Sequence, residues 1–244
     1  MKFDVNYFPI LTSTNDYIQS LLPNSNLNEG FVVSCGEQGA GRGLGSNAWH
    51  SAKDQNLLIS TLLRPEFLPA ANQFKLSMVV ALSIQKTLSE IIENEVFAIK
   101  WPNDIYWKKK KIAGILIENS VAGNHIISSI IGIGLNVNQV VFPNYIPNPI
   151  SMKWIANTDF KLDDVLKILL ENMKFFYEML QTDSVKLNRL YHAKMLFKNQ
   201  KMEFQSGDSQ FLGEILGVNN FGQLMISTDS GTRIFSFKEV EFIF

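Results

Sequence analysis

Hydrophobic positions along the chain follow two periods. Nearly continuous apolar runs, rich in β-branched and aromatic residues, occupy residues 31–34, 57–63, 96–100, 112–118 and 126–137, and these predict strands. Several lack polar alternation, which suits strands covered on both faces. The helical period is clearest over 70–92, through Phe74, Met78, Ala81, Ile84, Leu88 and Ile91, and over 162–180, through Leu162, Val165, Leu169, Met173, Phe176 and Leu180. Both predict core-packing helices. Asp163 and Asp164 favour the first turn of the second one. The segment NDYIQSLL predicts a short helix, with Ser13 or Thr14 as its N-cap and Pro23 beyond its end.

After about Phe197 the texture changes: short strand-like runs alternate with Gly, Asn and Asp turns, and no helix-length pattern remains. This predicts a small β-barrel or meander with a boundary near Leu196, dividing the chain into 1–196 and 197–244. No internal repeat is visible.

Composition narrows the class. With 46% apolar and 18% charged residues in 244, the chain is a folded protein with ample core. Its 22 Lys and Arg balance 23 Asp and Glu, so no global field draws it to nucleic acid or anionic lipid. The single Cys35 excludes an intrachain disulfide and reads as a buried small hydrophobe. Asp4 and Asn6 interrupt what would be a signal-peptide core. The longest apolar stretch, HIISSIIGIGLNV, falls short of the ~20 residues of a membrane span. A soluble, cytoplasmic protein is expected.

The stretch EQGAGRGLGSNAWHS, residues 37–51, carries four glycines around Arg42. It does not lead into a helix and lacks both GxGxxG and GxxxxGK[ST] spacing, which excludes a dinucleotide or P-loop site. Bare glycine backbone beside a guanidinium can still hold a phosphate, through charged hydrogen bonds of roughly 1.5–3 kcal/mol each. A mobile surface hairpin fits this segment equally well. KWPND, residues 100–104, suggests a tight turn at a strand end. KKKKIAGILIE runs from lysines into a strand, so Lys111 is the lysine held, while Lys108, Lys109 and Lys110 form a solvated turn. GIGLNVN, residues 132–138, ends a strand in small residues. His50, His125 and His192 show no metal-ligand spacing.

Taken in order, Ser13-Thr14-Asn15, the loop from Glu37 to Gly43 with Trp49, KWPND, Lys111 to Leu116, and GIGLNVN closely resemble the catalytic domain of the biotin protein ligase family. The segment GEILGVNNFGQLMISTDSG is similar to that family's SH3-like C-terminal domain. The resemblance implies an α+β fold, with a mixed or antiparallel sheet backed by helices and a small barrel after it. It also implies a two-step reaction. Biotin and ATP, with Mg2+, give biotinyl-5′-AMP and pyrophosphate, and a carrier lysine then takes the biotin.

On this resemblance Arg42, Lys111 and Asp104 are the catalytic residues. Arg42 and Gly43 hold the adenylate phosphate, Lys111 the carboxylate or acyl-phosphate oxygen, and Asp104 lies near the incoming lysine or the metal. Ser13, Thr14, Asn15 and Gln38 line the biotin end. Trp49 belongs to a loop that closes over the adenylate, while Gly41, Leu44, Gly114, Gly132, Gly134 and Asn136 complete the ligand contacts. Leu44 stands where the family often has a second arginine, so retention of the adenylate rests more on Arg42, Lys111 and loop burial. The motif set begins at Ser13, leaving no room for a DNA-binding winged helix. The expected partner is the biotin carboxyl carrier domain of acetyl-CoA carboxylase or a related carboxylase, with the ligase a monomer or homodimer. A lipoate ligase or octanoyltransferase, and a non-catalytic biotin or nucleotide sensor, are the competing readings.

Overall fold

The structure is a computed structural model describing residues 1–45 and 47–244. It opens with a strand that the apolar pattern does not predict, β1 (Asp4–Leu11), because Asp4, Asn6 and Pro9 interrupt it. Proline is tolerated there because β1 is the edge of its sheet. Helix α1 (Thr14–Leu21) follows, capped by Ser13, whose hydroxyl accepts from the Asp16 N–H at 3.3 Å. Strands β2 (Phe31–Gln38) and β3 (Leu57–Leu63) flank the glycine-rich loop.

A 3-10 turn (Ala70–Asn72) leads into α2 (Phe74–Ile91), so the predicted helix 70–92 is two elements. Then come β4 (Phe97–Lys100), β5 (Asp104–Trp107), β6 (Lys110–Ala122) and β7 (His125–Leu135). The sheet order is β1-β2-β3-β7-β6-β5-β4, parallel between β1 and β2 and antiparallel elsewhere. The expected mixed sheet backed by helices is therefore present.

Helices α3 (Met152–Ala156), α4 (Leu162–Thr182) and α5 (Ser184–Ala193) complete this part. Helix α2 is buried on most sides, with Leu76, Val79, Val80, Ile84 and Leu88 fully enclosed, because it lies against β4, β5 and β6 and also against α4 and α5. Asn172 of α4 gives this interface a polar tie, donating to Thr87 Oγ1 at 3.1 Å and Glu90 Oε2 at 2.8 Å. Helix α5 escapes the period analysis because it buries only Leu187 and Tyr191. On the opposite face of the sheet α1 closes a small cluster of Ile18, Val33, Leu62 and Ile130. No described helix is long and apolar enough to cross a membrane.

The C-terminal part is a five-stranded antiparallel sheet of β8 (Lys201–Ser206), β9 (Ser209–Val218), β10 (Leu224–Thr228), β11 (Gly231–Phe235) and β12 (Glu241–Ile243). Its order is β11-β10-β9-β8-β12. It is welded to the rest, since Phe204, Ile215 and Leu224 share one buried cluster with Leu76 and Ile99. Two hydrogen bonds add to this. The Trp101 indole donates to the Gly222 carbonyl at 2.8 Å, and the Val218 N–H donates to His192 Nε2 at 3.0 Å.

Candidate active site

Register builds the floor. Asp104, Gly114, Gly134 and Leu58 stand side by side across β5, β6, β7 and β3, and the next row on the same face holds Leu116, Gly132 and Ser60. Side chains on one face recur every second residue, so Gly114, Leu116 and Glu118 share the face, as do Gly132 and Gly134. The three glycines leave bare backbone in the middle of an otherwise bulky sheet. That space is used. A β-carbon on Gly134 would strike the Trp49 ring, one on Gly114 would come within 2.9 Å of it, and one on Gly132 would strike the Asn15 amide.

Described residues on the two sides of the glycine-rich loop pair with each other. Gly43 N–H donates to the Asn47 carbonyl at 2.7 Å, Trp49 N–H to the Gly41 carbonyl at 2.8 Å, and Arg42 and Ala48 form a bridge. This pairing carries the Trp49 indole onto the glycine floor, with its Nε1 buried and without a hydrogen-bond partner among the described residues. Lys111 Nζ stands 5.6 Å from the centre of the same ring.

At the end where α1 meets the sheet, polar groups interlock. The Ser60 hydroxyl lies 2.7 Å from Thr14 Oγ1 and 2.5 Å from Asn15 Oδ1. Gln38 Oε1 accepts from the Thr14 N–H at 2.8 Å and its hydroxyl at 3.1 Å. Glu118 accepts from Asn15 Nδ2 at 2.7 Å and takes both Arg42 nitrogens, while Arg42 Nη2 also reaches Asp16 Oδ1 at 2.5 Å. The bond from Glu118 is the main reason the Arg42 guanidinium is held still more firmly protonated than usual, opposed by its partial burial. Ser13, Thr14, Asn15, Gln38 and Arg42 thus form one connected network.

At the other end Lys111 Nζ lies 2.7 Å from Asp104 Oδ1, an ion pair. Lys100 lies beside them, half-buried and with its pKa pushed down, chiefly by desolvation, with Asp104 opposing and Lys111 adding to it. Asn103 fixes the turn by donating Nδ2 to the Ile115 carbonyl at 2.8 Å.

These groups wall one cavity of about 700 Å³ that runs from α1 to the C-terminal sheet. Its size is that of a small-molecule or cofactor site. Of the residues singled out by sequence, Ser13, Thr14, Asn15, Gln38, Arg42, Gly43, Leu44, Trp49, Asp104, Lys111, Gly114, Gly132 and Gly134 all line it. Gly41 and Asn136 do not. Gly41 backs the loop, and Asn136 lines a smaller cavity of about 320 Å³ behind Trp49, with its amide donating to the Ile150 carbonyl at 3.0 Å. Cys35 is enclosed, and burial pushes its thiol up to about 11. His50 packs edge-on against Tyr145, away from the main cavity.

Sequence reasoning misses Asp16, Ser60, Glu118, Lys100 and the C-terminal contribution of Lys238, Glu241 and Phe242. Ser60 carried a signal, being a polar residue inside the apolar strand LLISTLL. Glu118 carried a weaker one, lying on the period-2 face of Gly114.

Comparison with known proteins places this geometry in context. A family model described as "Biotin/lipoate A/B protein ligase family" matches residues 7–136. The "Bifunctional ligase/repressor BirA" of Bacillus subtilis (strain 168) is 30% identical over 233 residues, covering 93% of this chain and 70% of that protein. The "Biotin--[acetyl-CoA-carboxylase] ligase" of Paracoccus denitrificans is 27% identical over 239 residues, covering 94% of this chain and 97% of that one. Among solved structures, the biotin protein ligase from Aquifex aeolicus in complex with biotin and ATP superposes with a TM-score of 0.82 at 26% identity, covering 98% of each chain.

Proposed function

The chain belongs to the biotin/lipoate A/B protein ligase family, and from that premise we propose that it is an ATP-dependent biotin protein ligase, which forms biotinyl-5′-AMP and passes biotin to a carrier lysine. The observation that carries this reading is the single cavity with a hydrogen-bonding network at one end, cations along its length and a carboxylate at the other. A carboxylate and a triphosphate repel each other, so their reaction needs positive groups fixed beforehand.

Biotin's ring system enters at the α1 end, where Thr14, Asn15, Gln38 and Ser60 offer donors and acceptors beside apolar walls. A carboxylate oxygen of biotin attacks the α-phosphorus, the P–O bond to pyrophosphate breaks, and pyrophosphate leaves. Lys111 neutralises the reacting oxygens, and Arg42, anchored by Glu118, offers its charge beside the phosphate. Trp49, packed on the glycine floor, offers its ring to the adenylate and helps keep water from the anhydride. In the second step the carrier amine attacks the acyl carbon, AMP leaves, and Asp104 takes up the amine proton.

Magnesium enters with ATP as part of that substrate. No group of three or more His, Cys, Asp or Glu among the described residues could hold it alone. The phosphates would supply most of its oxygen ligands, with the Asp104 carboxylate at hand. The carrier is the biotin carboxyl carrier domain of acetyl-CoA carboxylase or a related carboxylase. Residues 1–196 form the catalytic unit and 197–244 an SH3-like unit, a division supported by the separate C-terminal sheet. The protein acts in the cytoplasm.

Pyrophosphate release on adding biotin and MgATP tests the reading, with lipoate as the alternative acid. Release with biotin and none with lipoate is expected. Release with lipoate alone would make it a lipoate ligase, and release with neither would make it a sensor.

A further inference from the structure

We infer that Lys238, in the turn before β12, is a phosphate-binding residue of this site that takes the triphosphate of ATP. The inference rests on the ATP-dependent reading above. Lys238 comes from the C-terminal part of the chain yet lines the main cavity with Val240, Glu241 and Phe242, opposite the glycine-rich loop.

Lys238 sits at φ +68°, a conformation it shares among non-glycine residues with Asp54, Asn94, Lys108, Asn148, Asn157, Phe197 and Asn199, and one that a side chain without a short polar group adopts at a cost. Local strain kept at a cavity wall is a feature of functional positions. The side chain reaches back to the glycine-rich loop, where a β-carbon on Gly45 would lie 2.5 Å from Nζ and 3.0 Å from Cε. The missing side chain of Gly45 is the space the lysine occupies.

Charge balance points to the ligand. Arg42 and Lys111 face the cavity with part of their charge offset by Glu118, Asp16 and Asp104, and Lys100 is half-buried on the same wall. The glycine-rich loop brings no other Lys or Arg, because position 44 is leucine. Lys238 is exposed and forms no ion pair among the described residues; Glu241 shares its wall without pairing with it. A cation without a counter-ion, held over glycine backbone at the wall of a cofactor-sized cavity, suits a polyphosphate. A lysine serves as a point charge that does not demand one phosphate orientation.

The test compares wild type, Lys238→Gly and Lys238→Arg for MgATP affinity by calorimetry, KM and kcat in biotin-dependent pyrophosphate release, and melting temperature. Glycine relieves the backbone, so Lys238→Gly is expected to melt no lower than wild type while binding MgATP about 3–10-fold more weakly, with kcat changed less than about twofold. Lys238→Arg should keep most of the affinity. Unchanged affinity in Lys238→Gly, an arginine variant as weak as the glycine one, or weakening that comes with a lower melting temperature would overturn the inference. A wild type that binds MgATP without releasing pyrophosphate overturns the ligase reading instead, and the same affinity ratio still decides the role of Lys238.

Discussion

Arg42 and Glu118, 76 residues apart in sequence, meet in a two-pronged pair with Nη1 to Oε1 and Nη2 to Oε2 both at 2.9 Å. The pair spans the glycine-rich loop and β6, and the same carboxylate holds Asn15 of α1. One acid therefore orients two residues of the site.

Both partners are about two-fifths exposed, so the pair itself contributes at most about 1 kcal/mol to stability. Glu118→Gln should leave the melting temperature nearly unchanged but raise KM for biotin by about 3–10-fold, the value of one misdirected hydrogen bond. Biotin saturation of pyrophosphate release measures it. A lower melting temperature with unchanged KM would make the pair structural alone.

Lys111 and Asp104 are expected to separate the two half-reactions. Lys111→Gln removes the cation facing the reacting oxygens and should slow adenylate formation by about 100-fold or more. Asp104→Asn should leave adenylate formation within about 10-fold and slow transfer to the carrier by about 100-fold, as expected for loss of a proton acceptor. Single-turnover transfer from preformed biotinyl-5′-AMP distinguishes them, and equal losses in both steps for Asp104→Asn would contradict its assignment.

Gly134→Ala places a methyl group into the Trp49 ring and should cost about 1–3 kcal/mol as overpacking, while shifting indole fluorescence. Gly207→Ala is the control. It stands in open space at φ +58° and should cost only about 1 kcal/mol through its backbone. Urea titrations compare the two, and equal costs would show that Trp49 moves aside freely.

His192 ties the C-terminal sheet to α5 and is held below its ordinary 6.5, first by burial and then by Lys198, and protonation of Nε2 would break the bond it accepts from the Val218 N–H. A lowered value means that the unfolded chain binds the extra proton first. The contribution is present above about pH 6.5 and fades as pH falls toward the folded value. Melting temperature should drop between pH 7.5 and 5.5 more steeply in wild type than in His192→Gln, which accepts the same bond without titrating. Identical slopes would exclude this role.

Much of the fold is legible in the sequence where the local signal is strong. Helices α2 and α4 follow their apolar period, and β3, β6 and β7 their apolar runs. The strand β1 is not, because its polar residues are tolerable only at a sheet edge, and an edge is a property of the assembled sheet. Strand β5 is four residues long and α5 buries two side chains, both too little to set a period.

The site divides along the same line. Sequence by itself picked out the glycines, Arg42, Lys111, Asp104 and the Ser-Thr-Asn turn, through the resemblance of these ordered short motifs to a known family, and the structure sets them around one cavity. Tertiary structure alone decided that Glu118 and Asp16 would claim Arg42, that Ser60 would join Thr14 and Asn15, and that Lys238 would reach Gly45. Those contacts join residues from different strands and from the two ends of the chain. Their partners are chosen by sheet register and by packing of the C-terminal sheet, neither of which is written into neighbouring residues.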